Sequence, residues 1–334
     1  MKAAILYGPT DLRVETAPAP TPGPTEATVR VAAAGLCGTD FRIWSGDRPV
    51  QYPRIMGHEL VGFVEAVGNR VTSVTAGDQV AIVPNYSCGR CALCREGNWN
   101  ICRARIAVGI DVNGGFAEIV KVPADRCRRA PRGATPDSLL LTEPLAVVVR
   151  GVNRGAPVPG ETAAVLGVGT LGLLAVQVLR GRGARVLAVG RTSRRFEVAR
   201  ALGAESTHAA VDGGLAPAAE QFSGREGVDL VIETAGTAEA VAQALELVRP
   251  GGRVVLTGLP HEPSTVSFFS VVRREITLIG SMIYQDEFAE AMRLLASGEV
   301  RSEGVVTHRF ALAEIGAAFV AHRDPASIKV AIAP

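Results

Sequence analysis

The sequence predicts an α/β protein of two domains, a mostly antiparallel β domain followed by a doubly wound parallel sheet, and three observations carry that reading. The length, 334 residues, exceeds what a single hydrophobic core usually serves. From Thr28 to Val83, short β-branched runs alternate with Gly and Pro (ATVRVAAAG, LVGFVEAVG, GDQVAIV), the texture of antiparallel strands. From Thr162 onward, apolar runs alternate with helical segments (TAAVLGVG, GLLAVQVLRGRG, ARVLAVG, RRFEVARALGA, VDLVIETAG), the pattern of βαβ units on a parallel sheet.

The stretch 88–102 lies between these textures and is rich in cysteine, so it reads as a loop or lobe. GGFAEIVKVP returns to strand, and Glu143 to Arg154 has helical spacing before the Pro- and Gly-containing APVPGE, which suits a domain junction. The tail from Glu287 carries a helix, the strand-like THRFAL, a second helix and a final IKVAIA strand, and is expected to return to the first domain. The expected boundaries are therefore 1–150 with 287–334 for the first domain, with 88–102 as its lobe, and 151–286 for the second. No internal repeat or low-complexity tract interrupts this plan.

Lys and Arg number 35 against 33 Asp and Glu, so no basic surplus invites a nucleic acid. The opening MKAAILYGPTDLRVE lacks the apolar stretch of a secretory signal, and a cytoplasmic location is expected. Thr162 to Leu179 is 18 residues without a charge, the lower limit for a membrane span. Glycines at 167, 169 and 172, and Gln177, favour a strand, a turn and a buried helix over a membrane segment.

Four of the six cysteines, Cys88, Cys91, Cys94 and Cys102, fall within fifteen residues. Four thiolates at this wrapping spacing hold one zinc tetrahedrally and leave no open position, the signature of a structural site rather than of disulfides or redox thiols. Gly167-Val168-Gly169-Thr170-Leu171-Gly172 ends a strand-like run and opens a helix, the context in which G-x-G-x-x-G binds a dinucleotide pyrophosphate at the helix N-terminus. An NAD site places Asp or Glu at the end of the next strand. Here that strand ends in Gly190 and continues into Arg191, Thr192, Ser193, Arg194 and Arg195, which points to a 2′-phosphate and so to NADP over NAD. A solvated basic loop is the plainer alternative.

The remaining candidates are Cys37 in GLCGTD, His58 and Glu59 in GHE, and Glu143 before Pro144. A lone His is more often structural than a ligand. In a chain with a nicotinamide site and a closed zinc lobe, a further Cys with a His-Glu pair suggests a second, open zinc site. A zinc deaminase would need H-x-E with P-C-x-x-C, whereas His58 and Glu59 are adjacent and the thiol lobe is closed.

At these residues the chain resembles the zinc-containing branch of the medium-chain dehydrogenase/reductase family, in its sorbitol and threonine dehydrogenase-like group, over nearly its whole length. The resemblance implies a GroES-like catalytic domain and a Rossmann coenzyme domain, two zincs per chain, and a homodimer or homotetramer. It assigns the catalytic zinc to Cys37 and His58, with Glu59 and Glu143 completing the site in unspecified order, and gives Thr39 the proton-relay hydroxyl. The four-cysteine lobe becomes the structural zinc site. The activity implied is hydride transfer between a secondary alcohol, polyol or sugar-type CH–OH and NADP or NAD, with zinc as the Lewis acid. An amino-alcohol dehydrogenase, a non-catalytic zinc protein on the same fold and a zinc-free quinone reductase are the competing readings, and the paired Cys37 and His58 argue against the last. Trp44 and Ile110 are candidates for the substrate pocket, against the commoner role of packing. Cys127 reads as a buried small hydrophobe.

Overall fold

The computed structural model describes residues 1–191, 193–210 and 214–334, without the Ser193 side chain. The chain forms two compact units, Met1–Glu143 with Ala291–Gly298 and Ser302–Pro334, and Pro144–Glu290 with Glu299–Arg301.

The first unit begins with strands β1 (Lys2–Gly8), β2 (Asp11–Thr16) and β3 (Glu26–Leu36), helix α1 (Gly38–Ser45), and strands β4 (Arg54–Ile55), β5 (Glu59–Val67) and β6 (Gln79–Ile82). The lobe follows with β7 (Asn85–Tyr86), α2 (Ala92–Arg95) and β8 (Ile106–Ala107), and then come β9 (Ile119–Pro123), β10 (Cys127–Arg129) and α3 (Pro136–Leu139). Helix α4 runs from Thr142 to Gly155, through the position at 150–151 where the sequence alone placed the domain junction. The Pro and Gly that follow end this helix, and the compact units divide at Glu143/Pro144.

The second unit contains a six-stranded parallel sheet of β11 (Thr162–Leu166), β12 (Arg185–Gly190), β13 (Ser206–Ala209), β14 (Val228–Glu233), β15 (Val248–Leu256) and β16 (Thr277–Gly280). Its helices are α5 (Thr170–Gly181), α6 (Ser193–Ala201), α7 (Leu215–Ser223), α8 (Ala238–Leu247) and α9 (Phe268–Arg273). The strand order is β13-β12-β11-β14-β15-β16, the arrangement of a doubly wound dinucleotide-binding sheet. Every residue of β11 and β14 is buried, as expected for strands covered on both faces. The apolar run read as a possible membrane span is β11, a turn and α5, and no helix among the described residues is long and apolar enough to cross a membrane.

The chain closes with α10 (Glu287–Ala296), β17 (Val306–Ala311), α11 (Ile315–His322) and β18 (Lys329–Ala333). β18 pairs antiparallel with β3, Val330 opposite Leu36 and Ala331 opposite Gly35, so the C-terminal strand is part of the first unit's main sheet. On its other edge β3 pairs with β5, Gly35 opposite Glu59. That sheet packs a core containing Leu36, Met56, Phe116, Phe319 and Ile332, and each such buried side chain contributes about 1.5–3 kcal/mol. Cys127 is part of this core, and burial pushes its thiol up to about 12.

Candidate metal and coenzyme sites

Cys37 is the N-cap of α1. Its Sγ accepts the Thr39 N–H at 3.5 Å, and its own N–H donates to Asp40 Oδ2 at 2.9 Å, so the first turn holds Cys37, Thr39 and Asp40 as one unit. The Asp40 carboxylate is fully buried, accepts the Gly57 N–H at 3.3 Å, and lies 3.3 Å from His58 Nδ1. With Nδ1 turned toward a carboxylate, the opposite ring nitrogen is left for a metal, as in carboxylate–histidine–zinc arrangements. Burial alone disfavours a charge on His58, but the Asp40 carboxylate and the Cys37 sulfur outweigh it and hold the imidazole well above its ordinary pKa. The pocket favours positive charge, which a divalent cation fits.

Glu59 opens β5, directly opposite Gly35. One potential ligand atom each from Cys37, His58 and Glu59 lies within 4.8 Å of the others. Both Glu59 oxygens also accept hydrogen bonds from Lys329 Nζ, each at 2.7 Å. Glu143, in the first turn of α4, is buried and lies outside that group of three, although its charge helps to raise the pKa of Lys329. Burial opposes that rise, and the negative charges of Glu59 first and then Cys37 overcome it.

Two of these participants carry little signal in the sequence. Asp40 is the last residue of GTD, a motif whose chemistry reads first as that of the threonine hydroxyl. Lys329 was visible only as a single cation in the apolar IKVAIA strand.

In the lobe, the sulfurs of Cys88 and Cys94 are 3.9 Å apart, Cys91 and Cys94 3.5 Å, Cys91 and Cys102 3.8 Å, and Cys102 and Cys88 3.6 Å. A tetrahedron of sulfurs with zinc–sulfur bonds of about 2.3 Å has edges of roughly 3.8 Å. The sulfurs are much too far apart for disulfides, and all four cysteines are free. Backbone N–H groups of Arg90 and Cys91 pull the Cys88 thiol down to about 6, whereas Cys91, whose sulfur the Cys94 backbone N–H favours as thiolate, is held up to about 11 by hydrogen bonds with the neighbouring thiols, so the four sulfurs share their protons unevenly.

Trp44 packs in an aromatic cluster, its ring 5.4 Å from Phe41 and 5.5 Å from Phe319. Ile110 borders a cavity of about 410 Å³ with Arg48, Val50, Arg54 and Asp111, and Cys37, His58 and Glu59 do not line it.

In the second unit, Gly167 has φ of 103°, and its carbonyl, like that of Leu166, accepts the Thr234 hydroxyl, at 3.0 and 3.1 Å respectively. A Cβ on Gly172 would lie 1.7 Å from the Gly167 carbonyl oxygen, whereas one on Gly169, the N-cap of α5, would meet nothing within 4 Å. The third glycine therefore packs helix against turn, and the second keeps the space in front of the helix N-terminus clear. Thr170 and Leu171 form its first turn. At the end of β12, a Cβ on Gly190 would sit 2.2 Å from Val168 Cγ2, which crowds out an acidic side chain. Arg191 and Arg194 are exposed, while burial and the charge of Arg191 lower the pKa of the half-buried Arg195. Thr192 and the Ser193 side chain lie outside the described residues.

The chain matches the alcohol dehydrogenase GroES-like domain family over residues 23–132 and the zinc-binding dehydrogenase family over residues 170–297. It is 32% identical to sorbitol dehydrogenase of Bacillus subtilis over 93% of this chain and 90% of that one. It is 33% identical to L-threonine 3-dehydrogenase of Bacillus velezensis over 95% and 94% of the respective chains. Among solved structures, a zinc-binding dehydrogenase of Sinorhizobium meliloti bound to NADP superposes with a TM-score of 0.95 at 34% identity, covering 100% of this chain and 99% of the other. The alcohol dehydrogenase rspB of Escherichia coli, complexed with NADH, gives 0.94 at 30% identity with the same coverage. Two metal-shaped clusters, a dinucleotide-binding sheet and relatives that cover almost the whole chain agree: the chain belongs to the zinc-dependent alcohol and polyol dehydrogenases of the medium-chain dehydrogenase/reductase family.

Proposed function

We propose that this chain is an NADP-preferring dehydrogenase of secondary alcohols or polyols that carries two zincs, a closed one on Cys88, Cys91, Cys94 and Cys102 and an open one on Cys37 and His58. The observation that carries the reading is the convergence of Cys37, His58 and Glu59 ligand atoms within 4.8 Å, in a chain that also holds four sulfurs at tetrahedral spacing. Zinc at the open site supplies a Lewis acid that lowers the pKa of a substrate hydroxyl, or polarises the carbonyl in the reverse direction. Cys37 and His58 hold it, and Asp40 fixes the imidazole. The Thr39 hydroxyl, two residues from Cys37, relays the substrate proton outward.

The N-terminal amides of α5, at Thr170 and Leu171, bind the pyrophosphate, and Arg191 with Arg194 and Arg195 binds the 2′-phosphate. Solved neighbours carry either NADP or NADH, and what supports the preference is the lack of an acid at the end of β12, where Gly190 is crowded and arginines follow. Because the curated relatives include a sorbitol and a threonine dehydrogenase, the substrate class is a polyol or sugar-type alcohol, with an amino alcohol as the second candidate. Free thiols at metal spacing suit a reducing, cytoplasmic compartment. Assembly as a homodimer or homotetramer is supported by the exposed Phe268, Phe269 and Val272 of α9, which need a partner surface.

The test is initial rates of NADP and NAD reduction with polyols, sugars, amino alcohols and simple secondary alcohols, before and after chelation. Metal-dependent reduction of NADP with one of these classes is expected. Failure to reduce either cofactor, or to reduce the carbonyl counterparts, by protein holding two zincs would overturn the proposal.

A further inference from the structure

Strand β14 carries two buried carboxylates, one near each end, and the chain treats them differently. Asp229, near the start, pairs with Arg225 and Arg249. Glu233, at the end, is fully buried, and among the described residues no cation pairs with it. Its Oε1 accepts the Gly236 N–H at 2.7 Å, while its Oε2 is buried without a hydrogen-bond partner. Burial raises the pKa of this carboxyl, and the neighbouring amides of Gly236, Ala235 and Gly258 oppose the rise by favouring the charged form. A proton on Oε2 would find no acceptor there. Amides stabilise a carboxylate without neutralising it, so the site keeps a negative charge that a nearby cation would relieve.

Two loops at the carboxyl end of the parallel sheet close over this carboxylate. A Cβ on Gly258, after β15, would stand 2.7 Å from Glu233 Oε2 and 2.4 Å from the Gly236 nitrogen. One on Gly236, where φ is 68°, would stand 3.0 Å from the Leu259 nitrogen. The Glu233 carbonyl accepts the Thr257 and Gly258 N–H groups at 2.9 and 3.1 Å. On the other side, a Cβ on Gly167 would lie 2.9 Å from the Ala235 nitrogen, so the loop after β14 also rests on the coenzyme turn. Doubly wound sheets bind a dinucleotide outside the carboxyl ends of their strands, one mononucleotide to each half. The glycine turn belongs to the half made of β11, β12 and β13, which leaves the nicotinamide to the half of β14, β15 and β16, whose loops Glu233 underlies.

We propose that Glu233 sets the redox preference of the coenzyme site, its unneutralised carboxylate favouring the oxidised nicotinamide, which carries a positive charge, over the reduced and neutral one. The proposal rests on the assignment of a nicotinamide coenzyme to this sheet. Two unit charges about 10 Å apart, at an effective dielectric of about 20, shift an equilibrium by roughly tenfold. Alcohol oxidation converts the favoured form into the disfavoured one, which eases release of the reduced coenzyme.

Isothermal titration calorimetry with NADP+ and NADPH, and with NAD+ and NADH, tests this. Glu233→Gln keeps the shape and an acceptor for the Gly236 N–H but removes the charge, and the ratio of the Kd of the oxidised form to that of the reduced form is expected to rise about tenfold. Glu233→Asp keeps the charge, and the ratio is expected to stay within about twofold of wild type even where both forms bind more weakly. Glu233→Met, a second uncharged variant, is expected to raise the ratio as glutamine does and decides the matter if Glu233→Gln does not fold. Equal weakening of both forms in the uncharged variants would make Glu233 a support for the loops and overturn the proposal, leaving the coenzyme assignment intact. Wild-type protein that binds neither form of either coenzyme would overturn the assignment and the proposal together.

Discussion

Gly169 and Gly172, two of the three glycines of the coenzyme turn, have opposite surroundings, and substituting each by alanine separates folding from binding. In Gly172→Ala the new methyl would lie 1.7 Å from the Gly167 carbonyl oxygen, where an ordinary C···O contact is about 3.3 Å or more, so helix and turn must part by roughly 1.5 Å. The obstacle is backbone and cannot rotate away. The same carbonyl accepts the Thr234 hydroxyl at 3.0 Å, a bond that such a shift would strain. Overpacking of this kind costs about 1–3 kcal/mol and a lost hydrogen bond about 1 more, so a loss of about 3 kcal/mol is expected. For a unit of about 150 residues that corresponds to a fall in Tm of about 9 °C.

In Gly169→Ala the methyl meets nothing within 4 Å, and φ of −87° suits any residue. Stability should change by less than about 0.5 kcal/mol, but the methyl stands in front of the α5 N-terminus and should weaken NADPH binding about 100-fold. Thermal unfolding followed by circular dichroism reads the first effect, and enhancement of NADPH fluorescence on titration reads the second. A Gly172→Ala protein melting within about 2 °C of wild type would refute the steric argument. A Gly169→Ala protein binding NADPH within about threefold of wild type would show that the pyrophosphate does not lie on this turn.

Cys94→Ser should lower the zinc content from two per chain to one, measured by atomic absorption, with the lobe becoming sensitive to proteolysis while β11–β16 keep their protection. Arg191→Ala with Arg194→Ala should raise the KM for NADP about tenfold or more and leave that for NAD nearly unchanged; an equal effect on both would make these arginines a solvated surface. Asp229, 2% exposed in β14, accepts from the Thr162 N–H at 2.9 Å, its hydroxyl at 2.8 Å and Arg249 Nε at 2.8 Å, and also pairs with Arg225. Burial alone would raise the Asp229 pKa, but these partners reverse the effect and place it below the ordinary carboxylate range. Its contribution is therefore present above about pH 4 and lost as the pH falls further, so Asp229→Asn should cost about 2 kcal/mol at pH 7 and flatten the acid limb of the stability profile. An acid limb of unchanged steepness would contradict this account.

Features confined to short stretches of chain were legible without coordinates. The four cysteines within fifteen residues, the glycine turn between an apolar strand and helix, and the change from antiparallel to βαβ texture all follow from local spacing, because turn chemistry and side-chain period act over a few residues. The structure added what strand register decides. Lys329 is 270 residues from Glu59, and nothing in IKVAIA says which carboxylate its ammonium meets. The pairing of β18 with β3, and of β3 with β5, brings the two charges to 2.7 Å and puts Gly35 beneath the carboxylate. Asp40 is only three residues from Cys37, yet its place beside His58 depends on how α1 docks on the chain preceding β5. The end of the first compact unit at Glu143 was hidden for the same reason, since a helix continuous in sequence carries no mark of where its contacts change. Local pattern determined which elements form and which chemistry they carry. Only tertiary structure decided which buried charges face one another, because that depends on long-range register, in which a slip of one residue turns every side chain to the opposite face.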